Sequence, residues 1–201
     1  MIFNYTKNYQ FATRLSINNQ PIETIESTRL LGTVIQNNLS WELNTKEIIR
    51  KANARMELLR KISNFSPGIE DLKTIYIMYV RSILEHSAPV WHSSLSEENR
   101  KDLERVQKTA LKIILGKNFK TYENGLKILD LQTLEERRNE ICLNFAKRTS
   151  NHPKFKHLFK VNSKLHQMNT RNAEKFQVYD AKTERLKSSA IIFMQNLLNE
   201  A

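Results

Sequence analysis

Apolar residues in this chain recur mostly at helical spacing. Leu72, Ile75, Tyr76, Tyr79, Val80, Ile83 and Leu84 follow the i, i+3, i+4, i+7 rule of a helix face, and Ile77 and Met78 widen it. That width predicts a helix buried on most sides. Pro89 is expected to end it, because proline has no amide hydrogen and pushes its predecessor out of helical geometry. Leu103, Val106, Ala110, Leu111, Ile114 and Leu115 stripe a second helix. Ser94 or Ser96 is its expected N-cap, Glu97 and Glu98 suit its first turn, and Gly116 closes it.

The same pattern organises the rest. Ile48, Ile49, Ala52, Met56, Leu59 and Ile62 make one face of an earlier helix, with Lys46, Arg50, Arg60 and Lys61 on the other. Ser66 and Pro67 are read as the cap of the following helix, with Glu70 and Asp71 in its first turn. Thr133 and Glu136 form a capping-box signature, and the helix they start is expected to turn Leu134, Ile141, Cys142 and Phe145 inward. Ala190, Ile191, Met194, Leu197 and Leu198 predict a terminal helix. Only residues 1 to 40 read as β structure: Leu15 and Ile17 alternate with polar neighbours, Asn18 to Pro21 reads as a turn, and Leu30, Leu31, Gly32, Val34 and Ile35 suit a further strand. The predicted fold is mainly α, a helical bundle preceded by a small antiparallel β hairpin or half-sheet.

Composition adds a partner class. The chain has 201 residues, 40% hydrophobic and 26% charged, as folded proteins have. No apolar run is long enough for a bilayer, and the N-terminus shows no signal peptide, so an intracellular, nuclear or cytoplasmic protein is expected rather than a secreted one or a membrane protein. One cysteine, Cys142, excludes an internal disulfide framework. The net charge of +11 favours a polyanion, most commonly nucleic acid. It is concentrated: from Ile141 to Ala173 there is no acidic residue, while Lys147, Arg148, Lys154, Lys156, Lys160, Lys164 and Arg171 are basic, among His152, His157 and His166. Part of that stretch is expected to contact phosphates.

Enzyme chemistry finds little support. The adjacent acids Glu70-Asp71, Glu97-Glu98 and Glu135-Glu136 all fall in first helical turns, where the macrodipole accounts for them. There is no Gly-rich phosphate loop, no paired metal-ligand spacing and no sign of a cofactor. Trp41 and Trp91 read as core anchors rather than base-stacking platforms.

Particular wording then narrows the class. "RSILEHSAPVW" and "LERVQKTALKIILG", within Leu72 to Gly116, closely resemble the region downstream of the polymerase active site in non-LTR retrotransposon (LINE-type) reverse transcriptases. "MIF" at Met1 is similar to the palm strand after that family's catalytic loop, and "RLSINNQPIETIESTRLLGTVIQNNLSW" to the hairpin and Leu-Gly turn leading into its thumb. "YENGLKILDLQTLEERRNEICLNFAKR" and "YDAKTERLKSSAIIFMQNLLNE" resemble its closing segments, so the likeness runs in order over nearly the whole chain.

The resemblance implies three parts: a palm remnant over residues 1–40, a helical thumb-like domain over 41–118, and a basic helical C-terminal extension over 119–201, loosely ordered at 151–187. It implies a part of an RNA-directed DNA polymerase, with Gly32 at a turn near the growing primer end. The family's Tyr/Phe-Ala-Asp-Asp loop does not occur in the sequence, so the chain is expected to catalyse nothing itself and to bind RNA or RNA–DNA hybrid beside the remaining palm and fingers. The expected contacts are Lys46, Arg50 and Lys51, then Lys108 and Lys112, then Lys147, Arg148, Lys154 and Lys156. In the family the position of His86 more often holds an aromatic residue.

Two other readings compete. A non-enzymatic helical interaction domain would use the basic surface for solubility and recruit a protein through an exposed strand edge. The first forty residues also resemble a short N-terminal segment of AlkB-like RNA-modifying proteins, but neither an iron-binding His-x-Asp motif nor a Gly-rich S-adenosylmethionine loop occurs.

Overall fold

Two tight hairpins precede the helices in this computed structural model, which describes residues 1, 3, 15–162 and 175–201. Strand β1 (Ser16–Ile17) pairs antiparallel with β2 (Gln20–Pro21), and β3 (Ser27–Leu30) with β4 (Thr33–Gln36). Both loops are two residues long and left-handed, with φ of 51° and 61° at Asn18 and Asn19, and 48° and 87° at Leu31 and Gly32. Such type I′ turns match the twist of the flanking strands. Two sequence expectations change here. Gln20 and Pro21 pair as a strand instead of completing a turn, and the run from Leu30 to Ile35 reverses midway instead of extending. The reversal leaves Leu31 89% exposed. Apart from Met1 and Phe3, the palm-like strand expected at the N-terminus lies outside the described residues.

The second hairpin docks on α1 (Glu42–Ser63). The Asn44 side-chain oxygen accepts from Val34 N at 3.0 Å, the Gln36 side chain accepts from Leu43 N at 3.1 Å, and Arg29 pairs with Glu47 at 2.8 Å. The turn itself meets His86, whose Nε2 donates to the Leu31 carbonyl at 3.2 Å, since a carbonyl can only accept. A Cβ on Gly32 would stand 3.1 Å from that nitrogen. Gly32→Ala is therefore expected to lower stability by about 1–2 kcal/mol, from left-handed backbone strain together with a displaced His86. A urea titration checks this; an unchanged midpoint would show that the turn carries no such constraint.

A continuous helical rod follows: α2 (Ile69–Ile75), a π segment (Tyr76–Arg81) and α3 (Ser82–Glu85). Leu72, Tyr76, Val80 and Leu84 are all buried and spaced four apart. In an α-helix each four-residue step overshoots a full turn by about 40°, so this stripe would wind off the core. The wider π turn, with Ser82 N donating to Ile77 O, winds it back. The helix is thus buried along one face and not on most sides: Met78 and Tyr79 are 63% and 45% exposed. Gly68, not Ser66, stands at its N-cap, because Ser66 adopts a left-handed conformation. Nor does Pro89 end the rod. The chain turns at left-handed Ser87, and Pro89 sits in the first turn of the short α4 (Ala88–Trp91), where its missing amide hydrogen has no partner to lose.

Helix α5 (Glu97–Leu115) buries all six of its expected apolar positions, and Ser96 caps it by accepting from Asn99 N at 3.2 Å. It is followed by α6 (Tyr122–Leu129) and α7 (Leu134–Ser150), the latter with both arms of the Thr133–Glu136 capping box in place. The main core is continuous from Trp41 to Leu134, with Trp91 wholly buried, and so runs past residue 118 into α6 and the start of α7. A smaller core of Ala146, Phe159 and Met194 joins α9 (Ala190–Glu200) to the end of α7, and the exposed α8 (Glu184–Lys187) precedes α9. The described parts of 151–187 contain a 3-10 turn at Lys156–Leu158 and a bridge between Val161 and Phe176. Lys164, His166 and Arg171 lie outside the described residues. The outcome is the predicted class, mainly helical with small antiparallel strand pairs ahead of the bundle.

Candidate nucleic-acid interface

The expected phosphate contacts fall into three groups on separate elements. On α1, Lys46, Arg50 and Lys51 project from the polar face, and each already faces a carboxylate. Lys46 pairs with Glu42 at 2.6 Å, Arg50 with Glu47 at 2.8 Å, and Lys51 with the same Glu47 at 3.6 Å. Arg29 completes the ring around Glu47, whose carboxyl is held down at about 2, chiefly by the Arg50 hydrogen bond. Lys46 also opens onto a groove lined by Glu42, Glu98 and Asp102. Two carboxylates thus offset two of four positive charges, and Lys46 stands in the least favourable place for a phosphate. The spacing Glu42–Lys46, Glu47–Arg50 and Glu47–Lys51 made these pairings legible in advance.

On α5, Lys108 and Lys112 are exposed one turn apart. The Lys112 ammonium lies 5.7 Å from the centre of the Phe119 ring, and the Glu123 carboxyl is held below its usual range by its own backbone amide and the Thr121 side chain, with a smaller contribution from the Lys108 charge. The N-terminal turn of α5 borders the Lys46 groove, whereas Lys108 lies about 15 Å further along the helix, so these two groups are not one patch.

The third group differs in kind. Lys147 and Arg148 occupy the last turn of α7, Lys154 and Lys156 the turn beyond it, and all are exposed. Among the described residues none of these four makes an ion pair. The cause is compositional, since no acid occurs between Ile141 and Ala173. Phe145, expected inside, is 46% exposed here, because Cys142 and Ala146 take the buried register of α7. Phe155, which the sequence reading did not single out, is equally exposed between Lys154 and Lys156. Its position between two lysines was the available signal.

Gly32 shares a shallow depression with Ile48, Lys51, Ser82, Ile83 and His86. Elsewhere the buried polar groups serve the frame. Gln107 accepts from Tyr76 Oη at 2.6 Å and donates to Tyr122 Oη and to the Gln132 carbonyl, joining the rod, α5 and α6. Arg138 is wholly buried: its Nε donates to His92 Nδ1 at 3.1 Å, its guanidinium lies 5.8 Å from the Trp91 ring, and Nη1 and Nη2 make no hydrogen bond among the described residues. Burial raises the Cys142 thiol to about 12, which keeps it protonated and unreactive at neutral pH. Among the described residues no three His, Cys, Asp or Glu side chains gather as a metal would need, and no helix is long and apolar enough to cross a membrane.

No family model, curated protein or solved structure matches the chain.

Proposed function

We propose that the chain is the end of the palm and the thumb of a LINE-type reverse transcriptase, and that it binds RNA or RNA–DNA hybrid through phosphates without sequence preference. The observation that carries this reading is the acid-free group Lys147, Arg148, Lys154 and Lys156, exposed and without ion pairs among the described residues. A phosphate backbone approaching such a group displaces condensed counterions and meets no carboxylate. The ordered run of family-like motifs supports the origin, and a helical bundle behind antiparallel strand pairs is consistent with it. In this reading the chain supplies no catalytic carboxylate and no cofactor. Strands β1–β4 join the remaining palm and fingers, and Gly32 brings the β3–β4 turn toward the primer.

Fluorescence anisotropy with labelled 20-base-pair RNA–DNA hybrids of two unrelated sequences tests this. Both are expected to bind with equal Kd, on the order of 10 μM near physiological salt. A second reading, a helical domain that recruits a protein, is favoured by Leu30 and Leu31, 58% and 89% exposed at the β3–β4 turn. Absence of hybrid binding even at 50 mM salt, with thermal stabilisation by a protein partner alone, would replace the first reading with the second.

A further inference from the structure

The end of α7 carries aromatic and basic groups on one exposed side. Phe145 and Arg148 are three positions apart, so they share a helix face, and His152 would continue that face one turn on. The helix stops at Ser150, and the following turn is held by its own backbone: His152 N donates to Thr149 O at 3.1 Å, and Phe155 N and Lys156 N donate to His152 O at 3.0 and 2.9 Å. His152 Nδ1 accepts from Lys154 N at 3.3 Å. These bonds set the His152 and Phe155 rings 5.3 Å apart, tilted by 40°. Behind them the segment is anchored, with Phe159 in the smaller core and Gln195 of α9 donating to the Leu158 carbonyl at 2.8 Å. The rings are therefore positioned before any ligand arrives, which lowers the ordering cost of binding.

Phe145 and Phe155 are each 46% exposed, Phe155 with one neighbouring ring in His152, and they lie close in sequence to Lys147, Arg148, Lys154 and Lys156. Duplex binding through phosphates gains nothing from such rings, because paired bases hide their faces within the stack. An unpaired strand offers both a polyanionic backbone and free base faces. We infer that the outer side of α7 and the turn after it form a stacking track for unpaired nucleotides, with bases on Phe155 and Phe145 and phosphates on the four cations. The inference rests on the nucleic-acid reading above and sharpens it: the C-terminal extension selects single-stranded over duplex segments. Stacking is indifferent to the 2′-hydroxyl, so RNA and DNA strands should serve equally.

The test compares the wild-type chain with a Phe145→Leu/Phe155→Leu variant on labelled U20, dT20 and a 20-base-pair hybrid at one salt concentration. Both substitutions lie on the surface, and circular dichroism confirms that the variant folds. The expected result is a loss of about tenfold or more in affinity for U20 and dT20, with hybrid affinity kept within about twofold. Quenching of a 2-aminopurine placed in the single strand should fall in parallel, reporting the lost stacking. Equal losses on strand and duplex, or no loss on strands, overturn the track while leaving phosphate binding intact. Failure of the wild-type chain to bind any of the three overturns both readings.

Discussion

Replacing Lys147, Arg148, Lys154 and Lys156 together with glutamine should lower affinity for an RNA–DNA hybrid by at least about 100-fold at 50 mM salt. Each of these side chains is exposed and makes no ion pair among the described residues, so each can release a counterion in full on meeting a phosphate. The contrasting variant, Lys46→Gln/Arg50→Gln, should change affinity by less than about threefold, because pairs with Glu42 and Glu47 have already spent much of that potential. Anisotropy titrations of the two variants beside the wild type decide the matter. Equal losses would mean that the local carboxylates do not govern which cations contact phosphate.

The second large effect is on acid stability. His92 is wholly buried, with Nε2 donating to the Asn139 side chain at 2.8 Å and Nδ1 accepting from Arg138. It faces Arg138, Asn139 and Glu135 on α7, Arg100 on α5 and the Phe193 ring on α9, whose centre is 5.8 Å away. Burial, and then the Arg138 charge, lower its pKa from 6.5 to about 4. With the folded value below the unfolded one, the unfolded chain binds the extra proton as pH falls through that window. Stability is then full above about 6.5, declines down to about 4 and levels off below, a loss of about 3 kcal/mol from this residue. Urea midpoints at pH 7.5, 5.5 and 4.5 should trace this decline, and His92→Gln should flatten most of it. Glu47, the carboxyl most depressed by its partners, titrates in the folded state near 2, so its contribution falls at lower pH. A His92→Gln variant with the same slope as wild type would show that other groups carry the acid sensitivity.

These two predictions also show what the sequence made legible. Helix α5 was readable because six apolar positions obey one period and a serine and a glycine mark its ends; all six are buried and Ser96 is the cap. The capping box at Thr133 was readable because its two bonds are local. Tertiary choices were not. Phe145 is apolar enough to suggest the core, yet the smaller Ala146 and Cys142 fit the close packing of α7 against α4 and α9. The π segment left a trace in the strict four-residue spacing from Leu72 to Leu84, which only the rod's geometry explains. For the proposed interface, charge density along the chain singles out the candidate cations, while their pairing depends on carboxylates three and four residues away. The buried contact of Arg138 with His92 joins residues 46 apart in sequence and had no local signature.

The salt dependence of hybrid binding tests the central claim most directly. For the wild-type chain a plot of log K against log salt between 50 and 200 mM should be linear with a slope near −3.6, if about four phosphates are neutralised at about 0.9 counterions each. That slope corresponds to a fall in affinity of about 100-fold over the range, and it should be the same for unrelated sequences. A flat plot, a slope that changes with sequence, or no binding at 50 mM salt would contradict phosphate recognition by this chain.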